Sequence, residues 1–172
     1  MQDSENTAEL TAQAEKTANE LVEKLKSLSI TLVLAESCTA GLVSGFLANI
    51  PGASGVLWGS FVCYTREAKI SMLGLEPGAL SVHGLVSRET AVSMAQGALN
   101  KSGAGIAASV TGLAGPDGDG SGVPVGTIWA AAALRGGQTR VSEYHLSGSR
   151  NVVRIRAVVA LLELIKNILT NV

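Results

Sequence analysis

The amino-acid sequence predicts an α/β fold in which a mixed sheet carries helices on both faces. Three observations predict it. Short apolar runs alternate with segments of helical periodicity, the pattern of strands covered by helices. Hydrophobic residues make up 47% of the 172 residues and aromatics only 3%, so the core must be built from Val, Leu, Ile and Ala, which suit that packing. Near the C-terminus two strand-like runs meet at Gly136-Gly137, a dipeptide suited to a tight hairpin, so at least one strand pair is antiparallel.

In chain order, residues 1–8 are polar and are expected to form a disordered tail, and residues 9–172 a single domain. From Thr11 to Leu28 the residues Ala14, Ala18, Leu21, Val22, Leu25 and Leu28 recur at helical spacing. Ile30–Ala35 is a β-branched and leucine run that reads as a buried strand, and Gly41–Ala48 as a helix, so Glu36–Ala40 occupies a strand-to-helix turn. After the loop Pro51–Gly55, Val56–Tyr64 reads as a strand and Arg66–Leu73 as a short helix. Glu76-Pro77-Gly78 breaks the chain. Ser87 is a candidate N-cap, with Glu89 in the first turn, for a helix reaching Lys101. Ala104–Val110 is an apolar strand. Thr111–Pro124 holds five glycines and two prolines, which is loop composition. Val125–Leu134 and Gln138–Leu146 form the hairpin, and Asn151–Leu169 an amphipathic helix striped by Ile155, Val158, Leu162, Ile165 and Leu169. If the strands ending at Ala35 and Val110 are parallel, the segments that follow share the carboxyl edge of the sheet, where ligands bind in such folds.

Charge and composition exclude several classes. A formal net charge of −1 gives no positive field for a polyanion, so no nucleic acid is expected as a partner. No apolar run approaches the ~20 residues of a membrane span, and the N-terminus has no apolar signal core, so no membrane is expected and a cytoplasmic location is. Cys38 and Cys63 make no disulfide framework, and with only His83 and His145 there is no metal-ligand spacing, so neither a metal nor another cofactor is expected.

Several residues are of types that carry chemistry. Ser37 follows a strand and opens toward a helix, where free N–H groups can hold an oxyanion; it is either a nucleophile or, with Thr39, a helix cap. Cys38 competes as a nucleophile but has no histidine partner in a motif, and otherwise it is packed. Tyr64 and Lys69 form a Tyr-x-x-x-x-Lys pair. A lysine can serve as base to a serine if burial lowers its pKa, and otherwise it lies on a helix surface. The N–H groups of Thr111–Gly115, including those of Gly112 and Gly115, either cradle a phosphate or oxyanion or belong to a plain connection. That loop has neither a P-loop lysine nor a dinucleotide fingerprint. Arg150 and Arg154, four apart on one helix face, either grip an anion or form a solvated face.

Taken together, these segments resemble the CinA C-terminal domain family, the PncC-type nicotinamide mononucleotide amidohydrolases. The matching text is Ala35-Glu36-Ser37-Cys38-Thr39-Ala40-Gly41, Pro51-Gly52-Ala53-Ser54, Tyr64-Thr65-Arg66-Glu67-Ala68-Lys69-Ile70, His83-Gly84-Leu85-Val86-Ser87, Val110–Pro116, Pro124-Val125-Gly126-Thr127 and Gly148-Ser149-Arg150. These stand in the family's order from about Leu21 onward. The resemblance implies a three-layer α/β/α sandwich with a mixed, mostly parallel central sheet, and a homodimer. It implies deamidation of nicotinamide mononucleotide to nicotinate mononucleotide and ammonia, in pyridine nucleotide recycling, without metal or organic cofactor. It puts catalytic roles on Ser37, Tyr64 and Lys69, and substrate contacts at Cys38, Thr39, Gly41, Thr111, Gly112, Gly115 and Arg150. Departures are Ala40, where the family usually has glycine, Ser149, where it often has Asp, and the acidic Asp117 and Asp119. The alternatives are a pyridine-nucleotide-binding module without turnover, an amidase for another small amide, and a subunit that acts only with a partner.

Overall fold

A computed structural model describes the backbone of residues 2–170 and 172, and side chains from Thr7 onward except that of Asn171. Among the described residues the order is α1 (Gln2–Leu28), β1 (Leu32–Glu36), α2 (Leu42–Ala48), β2 (Leu57–Val62), α3 (Arg66–Leu73), α4 (Pro77–His83), α5 (Arg88–Ser102), β3 (Ile106–Gly112), β4 (Thr127–Leu134), β5 (Thr139–His145) and α6 (Arg150–Leu169). A short 3-10 turn, Ala53–Gly55, precedes β2.

The strands lie in the order β2-β1-β3-β4-β5. β2, β1 and β3 are parallel, and β4 and β5 complete the sheet antiparallel. Alternation along each strand sorts side chains to two faces. Leu32, Leu34, Ile106, Ala108, Ile128 and Ala130 pack under α1, α2 and α6. Val33, Ala35, Ala107, Ala131 and Ala133 pack under α5, with Leu73 of α3 and Leu80 of α4. The fold is the expected three-layer α/β/α sandwich. Alanines at Ala130–Ala133 give β4 weak intrinsic strand preference, but their small side chains let helices approach closely on both faces. No helix among the described residues is long and apolar enough to cross a membrane.

Two elements differ from the sequence reading. The backbone over the expected tail is helical from Gln2, continuing α1 ahead of the part whose apolar stripe is buried. Glu76-Pro77-Gly78 does not simply break the chain. Pro77 opens α4, since its fixed φ and missing N–H suit a first helical turn, and His83 ends that helix. Ser87 caps α5 as expected, accepting from Thr90 N–H at 3.1 Å.

Register places the site. Glu36 of β1 stands opposite Val62 of β2 and Val110 of β3, so the residues following these strands emerge together at one sheet edge. β5, antiparallel to β4, also ends there and delivers the start of α6.

Candidate active site

Ser37 is the first residue past β1, and its N–H is held by Val110 O at 3.0 Å. Three residues past β2, Thr65 caps α3 by accepting from Ala68 N–H, and one turn later α3 turns Lys69 inward. Lys69 is 1% exposed, among the largest fully buried side chains. Its Nζ donates to Ser37 Oγ at 2.8 Å and to Cys63 O at 2.7 Å. No carboxylate among the described residues forms an ion pair with it. Burial therefore holds its pKa below the ordinary 10.5, since an unpaired ammonium is poorly solvated there. A lysine whose pKa burial lowers, in hydrogen-bond contact with a serine hydroxyl, has the geometry that a general base requires.

Burial acts on the two cysteines in the opposite sense. It pushes Cys38 up to about 12 and Cys63 up to about 11, so both stay thiols at neutral pH. Cys38 lines the cleft but is not an activated nucleophile. The Cys38 and Thr39 N–H groups have no acceptor in another residue among those described; Cys38 lines the cleft, whereas Thr39 is buried beside it.

The cleft above Ser37 has a volume of about 270 Å³, and Cys38, Tyr64, Lys69, Thr111, Gly112 and Arg150 all line it. Asp119 reaches it from the glycine-rich loop, its carboxylate accepting from Ser121 N–H. A second hollow of similar volume, between α3, α4 and α5, is lined by Leu73, Glu76, His83, Glu89 and Ser93; there His83 lies 3.9 Å from Glu89 and makes no hydrogen bond to Ser93. No group of three or more His, Cys, Asp or Glu side chains among the described residues is placed to hold a metal.

The remaining sequence-derived positions divide. The Thr111 hydroxyl is already engaged, donating to Leu85 O at 2.8 Å, and the residue is buried. Gly112 is required by packing: a Cβ there would lie 2.7 Å from the Thr127 carbonyl oxygen. Thr39, Gly41 and Gly115 lie outside the cleft lining. The Thr39 hydroxyl and Gly41 N–H both donate to Glu36, and Gly115 O accepts from Arg150. Arg150 also donates to the Tyr64 hydroxyl at 2.8 Å. Tyr64 thus stands at the cleft mouth with Arg150, with no hydrogen bond to Ser37 or Lys69.

Two residues have roles here that sequence reasoning did not assign to them. Arg154, read as a partner of Arg150 for anions, donates instead to Cys38 O at 3.0 Å and Thr39 O at 2.8 Å, clamping the turn. Glu36, noted only as part of a motif, is wholly buried and gathers five donors. A charged residue ending an otherwise apolar strand was the available signal.

Fold and site define a three-layer α/β domain with a buried serine–lysine pair at the carboxyl edge of its parallel strands. Residues 14–169 match the family described as CinA C-terminal domain, and the chain belongs to that family. It is 43% identical over 153 residues to a putative competence-damage inducible protein of Symbiobacterium thermophilum, covering 84% of this chain and 36% of that protein. It is 38% identical over 154 residues to a CinA-like protein of Mycobacterium tuberculosis, covering 90% and 36%. The chain thus spans 36% of the length of each of these relatives. Among solved structures, the competence/damage inducible protein CihA of Agrobacterium tumefaciens superposes with a TM-score of 0.87 at 38% identity, covering 92% of this chain and 96% of that one. A CinA superfamily protein of Klebsiella pneumoniae gives 0.89 at 28% identity, covering 92% and 99%.

Proposed function

We propose that this domain is an amidohydrolase that releases ammonia from the carboxamide of nicotinamide mononucleotide, leaving nicotinate mononucleotide. The observation that supports it is the contact between Lys69 Nζ and Ser37 Oγ, buried and free of any carboxylate. Neutral Lys69 takes the Ser37 proton as Oγ attacks the carboxamide carbon. The tetrahedral oxyanion is received by the Cys38 and Thr39 N–H groups. Lys69 returns the proton to the departing nitrogen, so ammonia leaves and an acyl-serine remains. Water, deprotonated by Lys69, hydrolyses the ester and restores Ser37. Each oxyanion donor of this kind is worth roughly 10²–10³-fold.

The family resemblance puts a catalytic role on Tyr64. Its pairing with Arg150 fits better with a phosphate contact at the cleft mouth, guanidinium and phenol together meeting the anion. A homodimer and a cytoplasmic location belong to the same proposal, and light scattering of the purified protein reads the first. The deciding experiment is ammonia release over a panel of nicotinamide mononucleotide, nicotinamide riboside, nicotinamide, asparagine and glutamine. The mononucleotide should give the highest kcat/KM. Release from a different amide would reassign the substrate, and mononucleotide binding without any release would mark a binding module.

A further inference from the structure

The Glu36 side chain is a carboxyl group in a place where packing alone does not call for one. It is wholly buried, immediately ahead of Ser37, and no cation pairs with it among the described residues. A buried carboxylate is strongly disfavoured unless hydrogen bonds replace its water. Here Oε2 accepts from Thr39 Oγ1 at 2.8 Å, Gly41 N–H at 2.9 Å and Val43 N–H at 3.1 Å. Oε1 accepts from Ser44 N–H and Ser60 Oγ, both at 3.0 Å. These donors come from the turn, from the first residues of α2 and from β2, so one group ties three segments together. Gly41 stands at the N-cap of α2 with no side chain to offer, and Glu36 satisfies the N–H groups that a cap would take.

We propose that Glu36 is the positioning residue of the nucleophile. Its carboxylate wraps the turn around itself, presents Ser37 Oγ to Lys69, and leaves the Cys38 and Thr39 N–H groups as the ones without an acceptor. The five donors also occupy both carboxylate oxygens, so neither is free to pair with Lys69. The base stays unpaired although an anion lies one residue from the nucleophile it serves. Arg154 holds the outside of the same turn through the Cys38 and Thr39 carbonyls, which keeps those peptide units from turning over.

This proposal rests on Ser37 as the nucleophile, and its test uses two readouts that separate it from the choice of substrate. One is ammonia release from nicotinamide mononucleotide. The other is the rate at which a fluorophosphonate labels Ser37. Glu36→Gln keeps the size but turns one acceptor oxygen into a donor, leaving at least two of the five donors facing an amide NH₂. Misplacement of a reacting group by about 1 Å costs about 10²-fold. The expected result is therefore a kcat about a hundredfold lower with KM within about threefold, and labelling slowed in parallel. Glu36→Asp, although shorter, keeps the charge and both acceptors and should retain more activity than Glu36→Gln. Were Glu36 merely filling space, the order would reverse.

Leu21→Ala, in the α1 packing away from the turn, is the control for lost stability and should label and turn over as wild type does. If Glu36→Gln does not fold, Thr39→Val removes one donor to the same carboxylate and should still lower kcat and labelling about tenfold. The proposal is overturned if Glu36→Gln keeps kcat and labelling within about threefold of wild type, if Asp is no better than Gln, or if Thr39→Val is silent. If wild type labels at Ser37 but releases no ammonia from the mononucleotide, the substrate assignment fails and Glu36 is judged on labelling alone. If wild type does neither, both readings fall.

Discussion

Two segments leave the same sheet edge side by side and line the same cleft, yet they are built in opposite ways. The turn after β1, Ser37–Gly41, is buried at Ser37, Cys38 and Thr39. The carbonyls of Ser37, Cys38 and Thr39 all accept hydrogen bonds, from Ala40 N–H, from Arg154, and from Arg154 and Leu42 N–H. The loop after β3 is exposed from Pro116 to Gly122. It is fastened near its ends, where Leu113 N–H donates to Thr127 O, Gly126 N–H donates to Leu113 O, and Arg150 holds Gly115 O. Between them Asp119 bonds only to nearby Ser121. In the proposed reaction one segment fixes the reacting atoms, while the other has few contacts and can adjust to what enters. A nucleophile gains from preorganisation, because its geometry must be right at the transition state. A substrate-facing loop has no such demand.

The harshest way to break this contrast is at the rigid side. Ser37→Ala and Lys69→Met should each lower kcat by about 10³-fold or more, because nucleophile and base act as a unit. Lys69→Arg should be equally inactive, since a guanidinium does not release its proton near neutral pH. Cys38→Ala should keep most activity, its thiol being held protonated by burial. In wild type, kcat should rise with pH along a limb centred below 10.5, because only neutral lysine accepts the serine proton. Substantial activity in Lys69→Arg would move the base elsewhere.

The same lysine carries a stability signature. Its folded pKa is depressed below the ordinary 10.5, so between those two values the unfolded chain binds a proton that the folded chain does not. Stability should therefore rise with pH through that window. In Lys69→Met this rise should be absent, so the melting temperature of wild type minus that of the variant should grow from neutral pH toward about 10. A difference that stays flat with pH would show Lys69 charged in the fold.

A smaller effect is expected where the two segments are joined. Arg150 holds Gly115 O and the Tyr64 hydroxyl, so Arg150→Ala loosens the adjustable side and removes the proposed phosphate contact. Losing a charge-assisted contact costs about 1.5–3 kcal/mol. That should appear as a KM for the mononucleotide raised by roughly 10–150-fold with kcat changed far less, and as a weaker effect on the riboside. Equal effects on both substrates would leave Arg150 as a loop anchor only.

Much of the architecture was legible in sequence because burial writes periodicity. The α6 stripe and the β1 and β3 runs each announce a face that meets the core. The hairpin was legible from Gly136-Gly137. The helix α4 was hidden because Pro-Gly reads as a stop until its place at a first turn is known. In the site, the approach of Lys69 to Ser37 spans 32 residues, and no local pattern encodes it; it was expected only through the family resemblance. The tasks of Glu36 and Arg154 were illegible for a different reason. Charged residues at a strand end and on a helix face ordinarily meet water, and these two meet main-chain groups that only the folded turn brings to them.

The smallest expected effect tests how much strain the rigid turn stores. Ala40 has φ +51°, in the left-handed region, and its side chain is exposed and outside the cleft lining. This accounts for the family's usual glycine at the position: the backbone asks for it, and the methyl does not narrow the cleft. An L-residue there costs roughly 1–2 kcal/mol, while glycine loses about 0.4–1 kcal/mol more conformational entropy on folding than alanine does. Ala40→Gly should therefore stabilise the protein by roughly 0.5–1 kcal/mol, or about 1–4 °C in melting temperature for a chain of this size. Ser29, at φ +53° where α1 ends, offers the same strain far from the chemistry, so Ser29→Gly should give a similar gain. The pair sharpens the contrast between the two segments. If the turn is fixed by Glu36 and Arg154, relieving Ala40 should raise stability without moving Ser37, and kcat should stay within about twofold of wild type, as in Ser29→Gly. A drop in kcat confined to Ala40→Gly would mean that the methyl itself helps hold the nucleophile, by denying the turn the extra conformations a glycine can reach.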